Sequence, residues 1–183
     1  LVLGRLLSLP MPDAVPLPLL PPAVKWGVAH TKPRAEKKLA EYLKKTGIPH
    51  FLPLLRRKNV GNREIRWFHV PLFPGYVFVD TAAAERKVFF DSRKVAKVIE
   101  TDDQPAILRD LENVARALQA DDRLLEARWA EIGKPVRIVR GNFKGLTGEI
   151  VRLPSGTRLI VRVHIISRAV SLEVDESVVE PDL

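Results

Sequence analysis

A chain of 183 residues with 46% apolar and 28% charged residues has the make-up of a soluble globular protein of one or two domains. The absence of cysteine excludes disulfides and thiolate metal centres and fits a reducing cytoplasm. The net charge of +8 directs the chain toward nucleic acid or another polyanion. That charge is segregated: residues 25–99 hold 17 Lys/Arg against 6 Asp/Glu, residues 100–132 hold 4 against 9, and residues 133–183 hold 8 against 6. Random surfaces mix the signs more evenly, so the first half reads as a polyanion-facing domain followed by an acidic connector.

Residues 1–23 form a Leu/Pro-rich leader, broken at Pro10, Pro12, Pro16, Pro18, Pro21 and Pro22. Proline at that density forbids a membrane-spanning helix, and Leu6-Leu7-Ser8-Leu9 is too short for the apolar core of a signal peptide. A disordered leader of partly polyproline II character is expected. Met11 is the sole methionine and an alternative translation start, which N-terminal sequencing decides.

The first domain is expected over 24–119. Val24–His30 reads as a strand. A helix follows, with Thr31 and Pro33 supplying its start, Gly47 its stop, and Ala35, Leu39, Tyr42 and Leu43 one apolar face. Arg34, Lys37, Lys38, Lys44 and Lys45 cover the remainder; Glu41 four residues before Lys45 suits a solvated face just as well. His50–Leu55 reads as a strand. Asn59 to Asn62 signals a hairpin whose arms carry Arg56, Arg57, Lys58, Arg63 and Arg66, either a nucleic-acid contact or a solvated loop. In PLFPGYVFVD, Pro74-Gly75 is a tight turn and Tyr76–Val79 a strand. A short helix at 82–90, a strand at 95–100 and a helix at 108–119 complete an α+β domain, helices packed on an antiparallel sheet.

Residues 120–132 are polar and acidic and read as a linker. From 133 to 183 short alternating strands sit between glycine turns, at Val136–Arg140, Gly148–Arg152, Leu159–Ile165 and Val170–Val174, the pattern of a small SH3-like all-β barrel. Gly141, Gly145 and Gly148 allow the chain to double back between the first two of these strands.

VRIVRGNFKGLTGEIV resembles a KOW motif, and WGVAHTKPRAEKKLAEYL with VPLFPGYVFVD resembles the N-terminal domain of the NusG family, in that family's order and over roughly residues 24–183. The resemblance implies a factor of transcription elongation or antitermination. It implies docking of the first domain on the clamp helices of the largest RNA polymerase subunit through Trp26, Leu72, Phe73, Pro74, Tyr76 and Phe78, with Phe73 accessible at the turn. Lys37, Arg86 and Lys87 are expected to face the non-template DNA strand at the upstream fork, with Phe89 or Phe90 stacking a flipped base. The KOW domain is expected to recruit a second partner, ribosomal protein S10 or termination factor Rho, through Phe143, Ile166 and Arg168.

Three departures from the family pattern favour a specialised RfaH-like paralogue. Trp26-Gly27 stands where Trp-Tyr is common, Gly141-Asn142-Phe143 replaces Gly-Pro-Phe in the KOW loop, and Ile166 falls where general members carry the phenylalanine that binds S10. The competing reading is a ribosome-associated RNA-binding KOW protein. His30, His50, His69 and His164 are scattered, no phosphate-binding glycine loop or nucleophile elbow occurs, and Asp102-Asp103 and Asp121-Asp122 read as connectors or caps. A monomeric cytoplasmic binding protein is therefore expected, with neither enzymatic activity, nor cofactor, nor metal. The period-two alternation of Val, Ile and Arg in the tail suits strands and not an amphipathic helix. Residues 133–183 alone should accordingly give a β-type circular dichroism spectrum; a helical spectrum for this segment within the full chain would refute the reading.

Overall fold

The computed structural model describes residues 20–21, 23–60, 65–120, 125–127, 133–153 and 156–182. Residues 1–19, most of the expected leader, fall outside the described residues, as do the hairpin turn at 61–64 and most of the expected linker. Contacts divide the chain into two units, Leu1–Leu108 and Arg109–Leu183.

In the first unit, β1 (Trp26–Thr31), β2 (His50–Phe51), β5 (Tyr76–Asp80) and β6 (Val95–Ile99) form an antiparallel sheet in the order β2-β5-β1-β6. The helices α1 (Glu36–Lys45) and α2 (Arg86–Asp91) supply the partners of its apolar face. Ala29, Val77, Val79, Val95 and Val98 bury against Leu39, Leu43, Ile48 and Phe89, with Tyr42 and Val88 closing the rim. Alternation along the strands sends Val28, Tyr76 and Phe78 to the opposite face. A separate two-stranded hairpin is made by β3 (Leu54–Val60) and β4 (Ile65–Pro71).

The ends of α1 follow simple chemistry. Glu36 occupies the first turn and Lys44 and Lys45 the last, each complementing the local end of the helix dipole. At the stop, Gly47 takes φ +72°, its N–H donates to the Lys44 carbonyl at 3.2 Å, and the Ile48 N–H donates to the Leu43 carbonyl at 2.9 Å. This is a Schellman closure, sealed by the burial of Leu43 and Ile48 in one cluster. The start differs from expectation. The capping position is Ala35, without a side-chain cap, and Thr31 is the last residue of β1. The strand starts two residues later than its sequence suggests and ends one residue later, because Thr31 still pairs with Val95 across a bulge.

The helix α3 (Gln104–Ala120) starts earlier than the apolar periodicity indicates. Asp103 caps it, its carboxylate accepting the Ala106 N–H at 3.0 Å, and Gln104 uses its amide to continue the edge of the sheet. That amide accepts the Trp26 N–H at 2.7 Å and donates to the Trp26 carbonyl at 2.9 Å, satisfying a backbone position beyond the end of β6. The division between the two units lies inside α3.

The second unit holds β7 (Leu125–Ala127), β8 (Lys134–Ile138), β9 (Thr147–Leu153), β10 (Gly156–Val163), β11 (Arg168–Glu173) and β12 (Val179–Pro181), in the order β12-β8-β9-β10-β11-β7. The expected strands are present and all pair antiparallel. The sheet is open, with β12 and β7 at its two edges, so the closed form of a small barrel is not what this pairing gives. Leu125–Ala127, expected as linker, pairs with β11 as an edge strand. Within this unit Asn113 of α3 donates to the Thr147 hydroxyl at 3.0 Å, and Asp110 accepts the His164 N–H at 2.8 Å. Burial pushes the Asp110 carboxyl above its ordinary range despite those hydrogen bonds.

One ion pair in this sheet is well formed. Arg162 on β10 donates from Nε and Nη2 to the two Glu149 oxygens on β9 at 2.8 and 3.0 Å, and the Gly133 N–H adds a third bond at 3.0 Å. The Arg162 hydrogen bonds hold the Glu149 carboxyl below its ordinary 4.5. A lowered carboxyl pKa stabilises the fold above the unfolded value, and that contribution is lost as pH falls through the lowered one. Glu149→Gln should therefore cost about 1–2 kcal/mol at pH 7, and its deficit against wild type should shrink as denaturation is repeated below about pH 4.5.

Candidate functional site

The turn at Phe73–Tyr76 organises the first candidate surface. Pro74 occupies the second position and Gly75 the third with φ +88°, and the Tyr76 N–H donates to the Phe73 carbonyl at 3.2 Å, a type II turn. Two further bonds fix it. The Gly75 carbonyl accepts the Thr31 N–H at 2.8 Å, and the Gly75 N–H donates to Glu36 Oε1 at 2.7 Å. Glu36 is a buried carboxylate in a helix that otherwise reads as basic, and only its partner 39 residues away explains its burial.

The turn does not leave Phe73 accessible. Trp26 is 1% exposed, Phe73 2% and Phe78 0%, and Leu72 is buried beside them. Phe73 meets Phe78 edge to face at 6.3 Å between centroids, and Phe51, half-buried on β2, lies 6.2 Å from Phe78. The accessible part of the seam is its end. Pro74 is exposed, Tyr76 is half-buried, and the exposed His30 stacks on Tyr76 at 5.1 Å. The expectation of an exposed aromatic patch is thus corrected: four of its six residues are the interior backing, because large rings on a sheet face are drawn into the core. Gly27, a departure in the strand motif, sits where a Cβ would come 2.5 Å from Thr81 Cγ2 and 2.9 Å from the Ile99 carbonyl oxygen, so this position has no room for the tyrosine common in relatives.

A basic edge lies beside the seam. The Lys32 N–H donates to the Lys94 carbonyl at 2.8 Å, joining the segment after β1 to the segment before β6. Arg34 and Arg93 both adopt φ +59°, a left-handed conformation unusual for arginine. Lys32, Arg34 and Arg93 are exposed. Of the adjacent phenylalanines, Phe89 is core at 1% exposure and Phe90, whose carbonyl accepts the Arg93 N–H at 2.8 Å, is 39% exposed. Exposed cations and an exposed ring are the elements of a nucleic-acid contact.

Lys37, exposed on the first turn of α1, follows this edge closely in the chain. Arg86 is placed elsewhere. Its Nη2 donates to the Val98 carbonyl at 3.2 Å, about 10 Å along β6 from Val95. Lys87 is exposed beside it. The expected trio is thus divided between α1, which carries Lys37, and α2, which carries Arg86 and Lys87. Lys32, Arg34, Arg93 and Lys94 come together only in the fold, since no local pattern links segments 60 residues apart.

In the second unit, Phe143 is half-buried in the loop between β8 and β9, where Gly141 and Gly145 take φ +79° and +86°. It lines an open cleft of about 340 Å³ with Arg140, Asn142, Glu173 and Val178. Ile166 is 7% exposed, so its side chain is core and offers no apolar contact at the surface; Arg168, at the start of β11, is exposed.

A profile of the NusG family, described as transcription termination factor nusG, matches residues 24–118, more than half of the chain. The chain belongs to the NusG family. It is thereby a transcription elongation and termination factor in general terms, of a family whose members act with RNA polymerase. A comparison with curated proteins gives no match. Among the described residues of this NusG-family chain no helix is long and apolar enough to cross a membrane.

The burial of the seam sets a direct expectation. Phe73→Ala should destabilise the protein by about 3–5 kcal/mol, as truncation of a core phenylalanine does. A melting temperature close to wild type would return Phe73 to the surface.

Proposed function

We propose that the chain binds RNA polymerase at the clamp helices of its largest subunit through the accessible end of the seam, His30, Pro74 and Tyr76. In this reading Trp26, Leu72, Phe73 and Phe78 hold that end rigid from beneath. The observation that carries the reading is the turn itself: a NusG-family domain spends a buried glutamate and two backbone hydrogen bonds on fixing one short apolar edge. Rigid presentation lowers the ordering entropy of binding.

Docking acts by differential affinity. A factor that contacts the clamp and the opposite lobe together binds the closed state better than the opened one, so it shifts the population away from pausing and termination. The basic edge of Lys32, Arg34, Arg93 and Lys94, with Lys37 nearby and Phe90 as the stacking ring, meets the non-template strand at the upstream fork. The second unit acts as a KOW module that recruits a further partner, ribosomal protein S10 or Rho, through the cleft around Phe143 and through Arg168. The protein works as a cytoplasmic monomer without a cofactor.

Two variants test these assignments separately. Tyr76→Ala removes one exposed stack, worth about 1 kcal/mol of stability, and should lose about 2 kcal/mol or more of polymerase affinity in a pull-down. Arg93→Glu with Lys94→Glu should keep polymerase binding and weaken crosslinking to the non-template strand, with a reduced dependence on salt. Cofractionation with ribosomal subunits in place of polymerase would establish the ribosome-associated alternative.

A further inference from the structure

The β3–β4 hairpin takes no part in the seam or the basic edge. Its register sets Arg56 against His69, Arg57 against Phe68 and Lys58 against Trp67. Paired residues point to the same side and alternate along each strand. One face therefore carries Leu54, Arg56, Lys58, Trp67 and His69, and the other Leu55, Arg57, Phe68 and Val70. Packing accounts for the base of the second face, where Leu55 is buried and Arg57 and Val70 are half-buried, although Phe68 on that face is 43% exposed. It does not account for the first, where Arg56, Lys58, Trp67 and His69 are all exposed. At 50%, Trp67 is the most exposed large apolar side chain among the described residues.

The chemistry of this face is specific. The Arg56 guanidinium carbon stands 4.2 Å from the centroid of the indole, covering one side of the ring and fixing its orientation. A row of two cations on β3 runs beside a row of two rings on β4. Residues 54–71 carry five Lys/Arg and one acid, Glu64. An exposed indole without a folding role is unfavourable in water, whereas a base can cover it and the neighbouring cations can take the phosphates. A duplex keeps its base faces stacked and would leave the rings unused.

We infer that this hairpin face is a second nucleic-acid site that binds a single strand, one base stacking on the open side of Trp67 while Arg56 and Lys58 hold flanking phosphates. The shared chemistry admits single-stranded DNA and RNA alike. The site is independent of the basic edge, and its variants leave that edge intact.

The test is fluorescence anisotropy of the full chain with labelled oligo-dT, oligo-rU and a duplex of equal length. Both single strands should bind more tightly than the duplex, the tighter of the two identifying the strand in use. Trp67→Ala should weaken single-strand binding about tenfold, and Trp67→Phe should restore most of it. Arg56→Gln with Lys58→Gln should lower the slope of log K against log salt by about 1.4. Phe68→Ala, on the opposite face of the hairpin, should stay within about twofold of wild type, as a change outside the stack must. Preference for the duplex, an unchanged Trp67→Ala protein, or an equal loss from Phe68→Ala would each overturn the inference. Loss of polymerase binding by Tyr76→Ala bears on the docking assignment alone.

Discussion

The hydrogen bond from the Gly75 N–H to the buried Glu36 carboxylate is the contact on which the first unit's surface depends. It ties the first turn of α1 to the turn before β5, and the Thr31 N–H on the Gly75 carbonyl ties both to the end of β1. A carboxylate accepting a backbone N–H in a buried place is a strong, charge-assisted bond, and an unmet N–H there is costly. With the turn fixed, Phe73 can only point inward against Phe78, and Tyr76 can only emerge beside His30. The same junction begins the segment that runs through Lys32 and Arg34 to α1. One local constraint thus places an apolar edge and a basic edge side by side.

The arrangement separates rigidity from contact. Phe51, Phe73 and Phe78 interlock under the sheet, where each ring removes a large apolar area from water and stabilises the unit. The groups left at the surface are few: a proline with a preset backbone, a stacked His–Tyr pair and several cations. Such groups lose little freedom when a partner covers them. Cations supply long-range attraction and salt sensitivity, and rings supply short-range fit.

Much of this was legible because it is local. The apolar face of α1, its glycine stop, the Pro-Gly turn, the alternation of the tail strands and the hairpin each follow from residues within a few positions of one another. The family resemblance over the first domain was legible for the same reason and agrees with the match at 24–118. What escaped is long-range. The fate of Phe73 depends on Phe78 and on the sheet face above it, and a sequence window cannot tell an exposed turn residue from one folded beneath. Thr31 has the chemistry of a cap, yet pairing with Val95 draws it into β1. Leu125–Ala127 lacks strand character, and its place beside β11 is a matter of pairing. The openness of the second sheet likewise depends on which edges meet.

Arg34 and Arg93 carry a further consequence. A left-handed backbone costs a side chain with a Cβ about 1–2 kcal/mol and costs glycine almost nothing. Folding alone would therefore favour glycine or asparagine at both positions, and arginine at φ +59° is held there against that preference. These two sites are natural recorders of selection. Among relatives of this chain, a lineage that no longer needs the charge should drift to glycine or asparagine and gain stability by doing so, whereas a lineage that keeps arginine declares the cation worth its strain.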